Sequence, residues 1–436
     1  MMEEYTETDN NYKNTALVQR IHGVGLCFNR CIGITCFRTG CSVLLDCCIE
    51  KVTQNLRKNI LSNGQNPTST LRLKVKNSTI WFSTQPKETL FDDIVILSED
   101  SNIARNIRHS DTYGKTVSTQ ICVIEKQGSS TLATWLFRHD VIDGWRCLRY
   151  LTSLLFSECD LTLERLNLKK NKPYNLLLHK ISKNISNIAL TSIFIPSISW
   201  KLAALSCNST VPYKKFYLHV VSSVEILKDL SKTRQLGSLS NTLTSIVTAA
   251  YFEADSMASR VTVASNVLFD ADSTVGNHVC LKAAVVELPK HKSYEKYETY
   301  GESRVDLVLS KTSRILSSKS QCLTDTYTSI ASRAYVLGKT PKVLNSKFER
   351  WQKNIDILIS NLPAFDHTEP KVQNVHVSRE YEDWSPNIVY VIGIEGLLYL
   401  DFYWTVTSSF NKKVFIDTFS RLTQSKTVHE MLPQCY

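Results

Sequence analysis

The sequence predicts a mixed α/β (α+β) protein built in two halves. Three observations predict it: strand-like and helix-like apolar periods alternate along the chain, both halves mix them in similar proportion, and the stretch 166–213 interrupts the alternation. At 436 residues the chain has room for two or three domains and a sizeable core. A hydrophobic content of 43% beside 21% charged residues belongs to a folded globular chain and excludes disorder over most of its length.

In the first half, 32–37 reads as a strand. Residues 42–61 read as an amphipathic helix capped by Ser42, with Val43, Leu44, Cys47, Val52, Leu56 and Ile60 on the apolar side. Gly64 and Asn66-Pro67 end that helix, and 71–75 alternates as a strand. Residues 119–124 and 131–137 form a hairpin around Gln127-Gly128-Ser129, followed by a helix marked by Trp145, Leu148, Leu151, Leu154 and Leu155.

The interrupting stretch holds Lys169, Lys170 and Lys172 before Pro173, then an apolar run over 185–205, and reads as a crossover between domains. The second half resumes with a strand at 216–221 and a helix at 224–236 that ends at Gly237. A helix over 243–253 capped by Ser240, strands at 261–267 and 279–288, and a helix over 297–318 follow. Strands at 356–360, 389–394 and 398–404 and a closing helix at 413–422 complete the chain. The domain boundaries expected are 1–165, 166–213 and 214–436.

A formal charge of +10 and a pI near 8.9 suit a phosphorylated ligand, an anionic membrane surface or nucleic acid. The absence of any basic-aromatic motif argues against nucleic acid. Residues 1–14 are polar and acidic, so no secretory signal is read and a cytoplasmic protein is expected. The sequons at Asn77, Asn184 and Asn208 are then expected to be unused. The charge-free interval 184–200 is too short and polar for a membrane span, while the lysines beside it leave open a peripheral contact with a membrane or lipid droplet. Of the 13 cysteines, Cys27, Cys31, Cys36, Cys41, Cys47 and Cys48 cluster. Cys27 and Cys31 loosely fit one zinc pair without a second, so no metal is expected and the thiols are read as reduced.

The chemistry concentrates at Phe137-Arg138-His139-Asp140-Val141-Ile142-Asp143-Gly144-Trp145. A histidine at the end of a buried strand, with an aspartate four positions on and a glycine opening a helix, is placed to act as a general base, because its ordinary pKa lies near working pH. By itself the spacing is more often that of a structural histidine at a turn.

Four segments, in order, resemble the bacterial-type wax ester synthase and diacylglycerol acyltransferase family. That family lies within the coenzyme A-dependent acyltransferases of chloramphenicol acetyltransferase-like fold. His139, Asp143 and Gly144 match its doubled-histidine motif, with Arg138 at the first histidine position. Ser240-Asn241-Thr242 is similar to its Asn-Asp helix start, with Thr242 in place of the aspartate. Val275-Gly276-Asn277-His278, leading to Leu288-Pro289, is similar to its Gly-Asn segment, and Ser360-Asn361-Leu362-Pro363 to its Ser-Asn-Val-Pro stretch. No match to its Pro-Leu-Trp element is found.

The resemblance implies two chloramphenicol acetyltransferase-like subdomains, pseudo-dimeric, each a mixed sheet with helices, and a substrate tunnel between them. It implies transfer of a fatty acyl group from acyl-CoA to a long-chain alcohol or diacylglycerol, with no bound cofactor and no acyl-enzyme. His139 takes the hydroxyl proton, Asp143 has an orienting role, and Gly144 allows a sharp helix start or close backbone approach. Asn277, Ser360 and Asn361 are implied site-lining positions. Arg138 places a positive charge beside His139, which favours the neutral, proton-accepting imidazole. A second reading, resting on Arg138 and Thr242, is a lipid-binding or interaction protein that keeps the fold without activity.

Overall fold

The computed structural model describes residues 17–20, 39–62, 71–76, 79–84, 91, 95–98, 120–137, 144–156, 158–161, 214–268, 279–288, 303–317, 355–379, 387–425 and 427–429. The predicted strand 32–37, Cys27, Cys31, Cys36, and the crossover 166–213 with its lysines and apolar run lie outside the described residues.

The first half contributes β1 (Leu17–Arg20), β2 (Thr39–Leu45), α1 (Ile49–Ser62), β3 (Leu71–Lys76), β4 (Thr79–Thr84), β5 (Val95–Ser98), β6 (Gln120–Gln127), β7 (Ser130–Phe137), α2 (Gly144–Leu155) and β8 (Glu158–Leu161). The second half contributes β9 (Lys214–Ser223), α3 (Val224–Arg234), α4 (Leu239–Ala254), β10 (Arg260–Leu268), β11 (Val279–Glu287), α5 (Arg304–Ser317), β12 (Ile357–Glu369), β13 (Val372–Arg379), β14 (Asn387–Ile394), β15 (Leu397–Val406), α6 (Lys412–Thr423) and β16 (Thr427–His429).

One sheet runs β13-β2-β7-β6-β5 and an 8-stranded one runs β11-β10-β12-β14-β15-β9-β16, with β8 also paired to β12. A small sheet, β1-β4-β3, stands apart from both. Each half therefore lends a strand to the other: β8 joins the second half's sheet and β13 caps the first half's.

Several predicted elements form as read. The β6–β7 hairpin closes with Gln127 opposite Ser130, and Gly128 takes the left-handed φ of 64° that its tight turn requires. On α2, Trp145, Leu148, Leu151, Leu154 and Leu155 are all buried, as their spacing predicts.

Other expectations are corrected. Ser42 does not cap a helix; it lies in β2, where its hydroxyl pairs with Thr134 Oγ1 at 3.0 Å, and α1 starts only at Ile49. The reason is a change of period: Cys41, Val43 and Leu45 alternate into the core as a strand, whereas Val52, Leu56 and Ile60 recur every four residues. The cap of α4 is Ser238, whose side chain accepts from the Asn241 amide, so Ser240 falls in the first helical turn. The strand predicted at 356–360 continues to Glu369, and α5 is shorter at its start than 297–318.

The 8-stranded sheet is the centre of the molecule. One face carries Val261, Val263, Ile357, Ile359, Val389, Leu400 and Phe402 against helices α3 to α6. The other carries Tyr217, Leu358, Leu362, Tyr390, Tyr399 and Tyr403 against the core of the first half. Residues alternate between these faces along each strand, so a one-residue step along β12 passes from one core to the other. Among the described residues no helix is long and apolar enough to cross a membrane.

Candidate functional site

Strand β7 ends at Phe137 and α2 begins at Gly144. Arg138, His139 and Asp143, between them, lie outside the described residues, as does Asn277. On either side of them in the sequence, Trp135 and Phe137 are buried, as are Trp145, Cys147 and Leu148.

Gly144 brings α2 onto β12. A Cβ placed on it would meet Leu362 Cδ2 at 3.0 Å, so the first turn of the helix lies against the strand closely enough that an added methyl would push this leucine aside by a few tenths of an ångström. The His-Asp-Gly motif and the Ser-Asn-Leu-Pro motif, more than two hundred positions apart, thus meet at Gly144 and Leu362.

One step back along β12, Asn361 turns towards the helix layer. Its Nδ2 donates to Ser240 Oγ at 2.8 Å and to Ser265 Oγ at 2.9 Å, and the two hydroxyls lie 3.3 Å apart. Both amide hydrogens are spent on hydroxyl lone pairs. The serines share one contact with each other, in which a single hydroxyl hydrogen is used, so the other hydrogen is available to a further acceptor. Pairing of β12 with β14 shifts between Asn361 and Ala364, where Pro363 has no N–H to donate, and this irregularity sets the asparagine at a break in the ladder. Ser360 is half-buried on the opposite face, so it does not join Asn361.

Thr242 is fully buried and its hydroxyl donates to the Ser238 carbonyl at 3.0 Å. Thr244, Ser245 and Thr248 likewise bond the carbonyl four residues back. This is how a helix so rich in hydroxyls is buried at little cost: each polar group finds a partner in its own backbone. Asn241 instead reaches Ser317 Oγ at 3.1 Å, fastening the start of α4 to the end of α5.

A second polar cluster was not foreseen from the sequence. His219 on β9 and Asp401 on β15 are direct cross-strand partners, with Nδ1 to Oδ1 at 2.7 Å. His376 on β13 approaches the same oxygen at 3.2 Å, and the Val377 N–H donates to Oδ2 at 2.7 Å. His219 and Asp401 are 2% and 4% exposed. Burial works to raise the Asp401 carboxyl, but the hydrogen bonds from the two imidazoles outweigh it and hold the carboxyl below its ordinary value. The signal that could have found the cluster is a histidine and an aspartate set inside otherwise apolar strands, Phe216-Tyr217-Leu218-His219-Val220 and Leu400-Asp401-Phe402.

No protein-family model and no curated protein matches the sequence. Solved structures do. The chain is similar to the trichothecene 15-O-acetyltransferase from Fusarium sporotrichioides at 10% identity, covering 93% of this chain and 94% of that one, with a TM-score of 0.58. It is similar to the first condensation domain of the calcium-dependent antibiotic synthetase at 12% identity, covering 93% and 96%, with a TM-score of 0.55. A mutant starter condensation domain of rhizomide synthetase, in complex with C8-CoA, matches at 11% identity over 94% of each chain, with a TM-score of 0.55. The protein therefore has the chloramphenicol acetyltransferase-like, pseudo-dimeric fold of the condensation domains and coenzyme A-dependent acyltransferases.

Proposed function

We propose that the chain is an acyltransferase that moves a fatty acyl group from acyl-CoA to the hydroxyl of a long-chain alcohol or diacylglycerol, in the manner of the wax ester synthase and diacylglycerol acyltransferase family. The observation that carries this reading is the meeting of the motif segments. Gly144, at the end of the His-Asp-Gly motif, packs on Leu362, and the neighbouring Asn361 gathers Ser240 from the second motif segment. The likeness in fold to an O-acetyltransferase and to a domain in complex with C8-CoA supports the acyl donor.

A hydroxyl is a weak nucleophile towards a thioester until a base takes its proton as attack begins, and His139 is that base. The acceptor oxygen bonds to the thioester carbon, the carbonyl electrons move onto oxygen, and collapse expels the coenzyme A thiolate, which takes up the proton His139 holds. No acyl-enzyme forms and no resident cofactor takes part. Asp143 orients the segment, Gly144 sets its approach to β12, and Asn277, Ser360 and Asn361 line the site, the last two from opposite faces of β12. The subdomains 1–165 and 214–436, joined by 166–213, enclose the substrates in a tunnel, and the basic excess suits both coenzyme A phosphates and a peripheral position on an anionic lipid surface.

The test is ester formation from labelled acyl-CoA across a panel of alcohols and diacylglycerol. Ester formed by the wild type and lost in His139→Ala is the expected result. Acyl-CoA or lipid binding without ester from any acceptor would instead identify a non-catalytic binding protein of the same fold.

A further inference from the structure

Three strands of two sheets, β9, β13 and β15, meet at Asp401. His219 Nδ1 and His376 Nδ1 approach its Oδ1 at 2.7 and 3.2 Å, and the rings of the two histidines lie together with centroids 4.0 Å apart. A nitrogen of each imidazole and an oxygen of the carboxylate all fall within 4.8 Å of one another. Donors bound to one ion at about 2.0–2.2 Å stand roughly 3 Å apart, so the two contacts to Oδ1 already have the spacing of a coordination shell. The other oxygen, Oδ2, accepts the Val377 N–H at 2.7 Å. Such an outer contact fixes a ligating carboxylate and leaves Oδ1 facing both imidazoles.

Without an ion, Nδ1 protons fill Oδ1. Asn374 Oδ1 accepts the Val375 N–H at 2.9 Å, which turns its Nδ2 towards His376 Nε2, also at 2.9 Å, so Nε2 accepts and Nδ1 carries the proton. To ligate, each ring moves that proton to Nε2. For His219 no existing bond at Nε2 is lost, because this buried nitrogen has no hydrogen-bond partner among the described residues. For His376 the Asn374 amide turns over and its Oδ1 accepts the new Nε2 proton, at the expense of the one bond to Val375. An imidazole that binds through one nitrogen and donates the other to a carbonyl is the ordinary arrangement at a metal centre.

The donor set selects the ion. Two imidazoles and one carboxylate suit zinc and its neighbours in the first transition row, whereas calcium and magnesium take shells of oxygen. Three protein ligands are the number zinc takes with a water in its fourth position. The His376 side chain is 13% exposed against 2% for His219, so an ion enters from the β13 side. None of the three is a cysteine, so the spacing that argues against zinc at Cys27 and Cys31 does not bear on them.

We infer that His219, His376 and Asp401 form a binding site for a divalent transition-metal ion of the zinc type, which ties β13 to β9 and β15 across the two sheets. The ion is structural and takes no part in acyl transfer, so the inference stands or falls apart from the proposed reaction. Full-length protein, stripped with a chelator and dialysed, is titrated with cobalt(II) chloride in the visible range and with zinc chloride by calorimetry. The wild type should take up one cobalt per chain with d–d bands and without the thiolate charge-transfer band that binding at cysteines would add. His376→Gln and Asp401→Asn should each lose this site, zinc affinity falling by more than about tenfold. Zinc should also slow hydrogen exchange at the Val377 amide and raise the unfolding midpoint in the wild type and in neither variant. His376→Gln replaces the most exposed of the three ligands and decides the matter if Asp401→Asn does not fold. A wild type that binds no cobalt through nitrogen and oxygen, or a His376→Gln variant that binds it as the wild type does, would overturn the inference and leave the cluster a hydrogen-bonded fastening alone.

Discussion

The central sheet carries a polar cluster on each face, and the two are assembled on opposite principles. On the helix side, half-buried Asn361 and Ser240 and buried Ser265 are neutral, and arranged so that a hydroxyl hydrogen is left for an outside acceptor. On the side of the first half, buried Asp401 and His219 and half-buried His376 surround a charge whose acceptor positions are filled from within the protein. The difference lies in where the charge sits: the neutral cluster keeps a hydroxyl hydrogen in reserve, whereas the charged one fills its carboxylate from within and leaves only His219 Nε2, itself buried, without a hydrogen-bond partner.

If this distinction holds, the two clusters respond differently to loss of one member. The largest effect is expected at Asp401→Asn, which removes the charge from three N–H donors and should cost about 3 kcal/mol in urea unfolding. Its pH dependence has a definite sign. A carboxyl held below its ordinary value in the folded state stabilises the fold above its unfolded pKa and gives that up as pH falls through the folded value. The acid limb of the stability curve, below about pH 4, should therefore flatten in Asp401→Asn and keep its wild-type shape in Asn361→Ala.

Gly393→Ala comes next. A Cβ there would lie 2.8 Å from Ala364 Cβ, beside the irregular stretch of β12, and the backbone shift required should cost about 2 kcal/mol. Asn361→Ala should cost only about 1 kcal/mol, because the serines it frees can bond each other or water, while raising KM for the acceptor. Gly144→Ala should change stability by less than about 1 kcal/mol, since the gain in helix propensity offsets the push on Leu362, so its effect should show in turnover. An Asn361→Ala variant as unstable as Asp401→Asn would erase the distinction.

Much of this architecture is legible in the sequence. The heptad-like apolar stripe of α2 and the buried apolar run of β7 are local patterns, and local patterns survive into the fold. Gly144 was likewise readable as a point of close approach. What failed had non-local causes. Ser42 has the chemistry of a helix cap, yet its partner is Thr134, ninety-two positions away, and no spacing rule supplies it. Strand β13 alternates through Val375 and Val377, but it pairs across the halves with β2, so its neighbours in sequence give no hint of its sheet. The Asp401 cluster draws on β9, β13 and β15, and its three members acquire meaning only when two sheets are packed together.

The central claim is that this fold carries out acyl transfer with His139 as base. The most direct test is the rate of ester formation from labelled acyl-CoA and a long-chain alcohol by wild type and His139→Ala, compared at equal folded concentration. The account predicts ester from the wild type and a loss of two to four orders of magnitude in the variant, the usual contribution of a general base. Equal rates in the two proteins would contradict it.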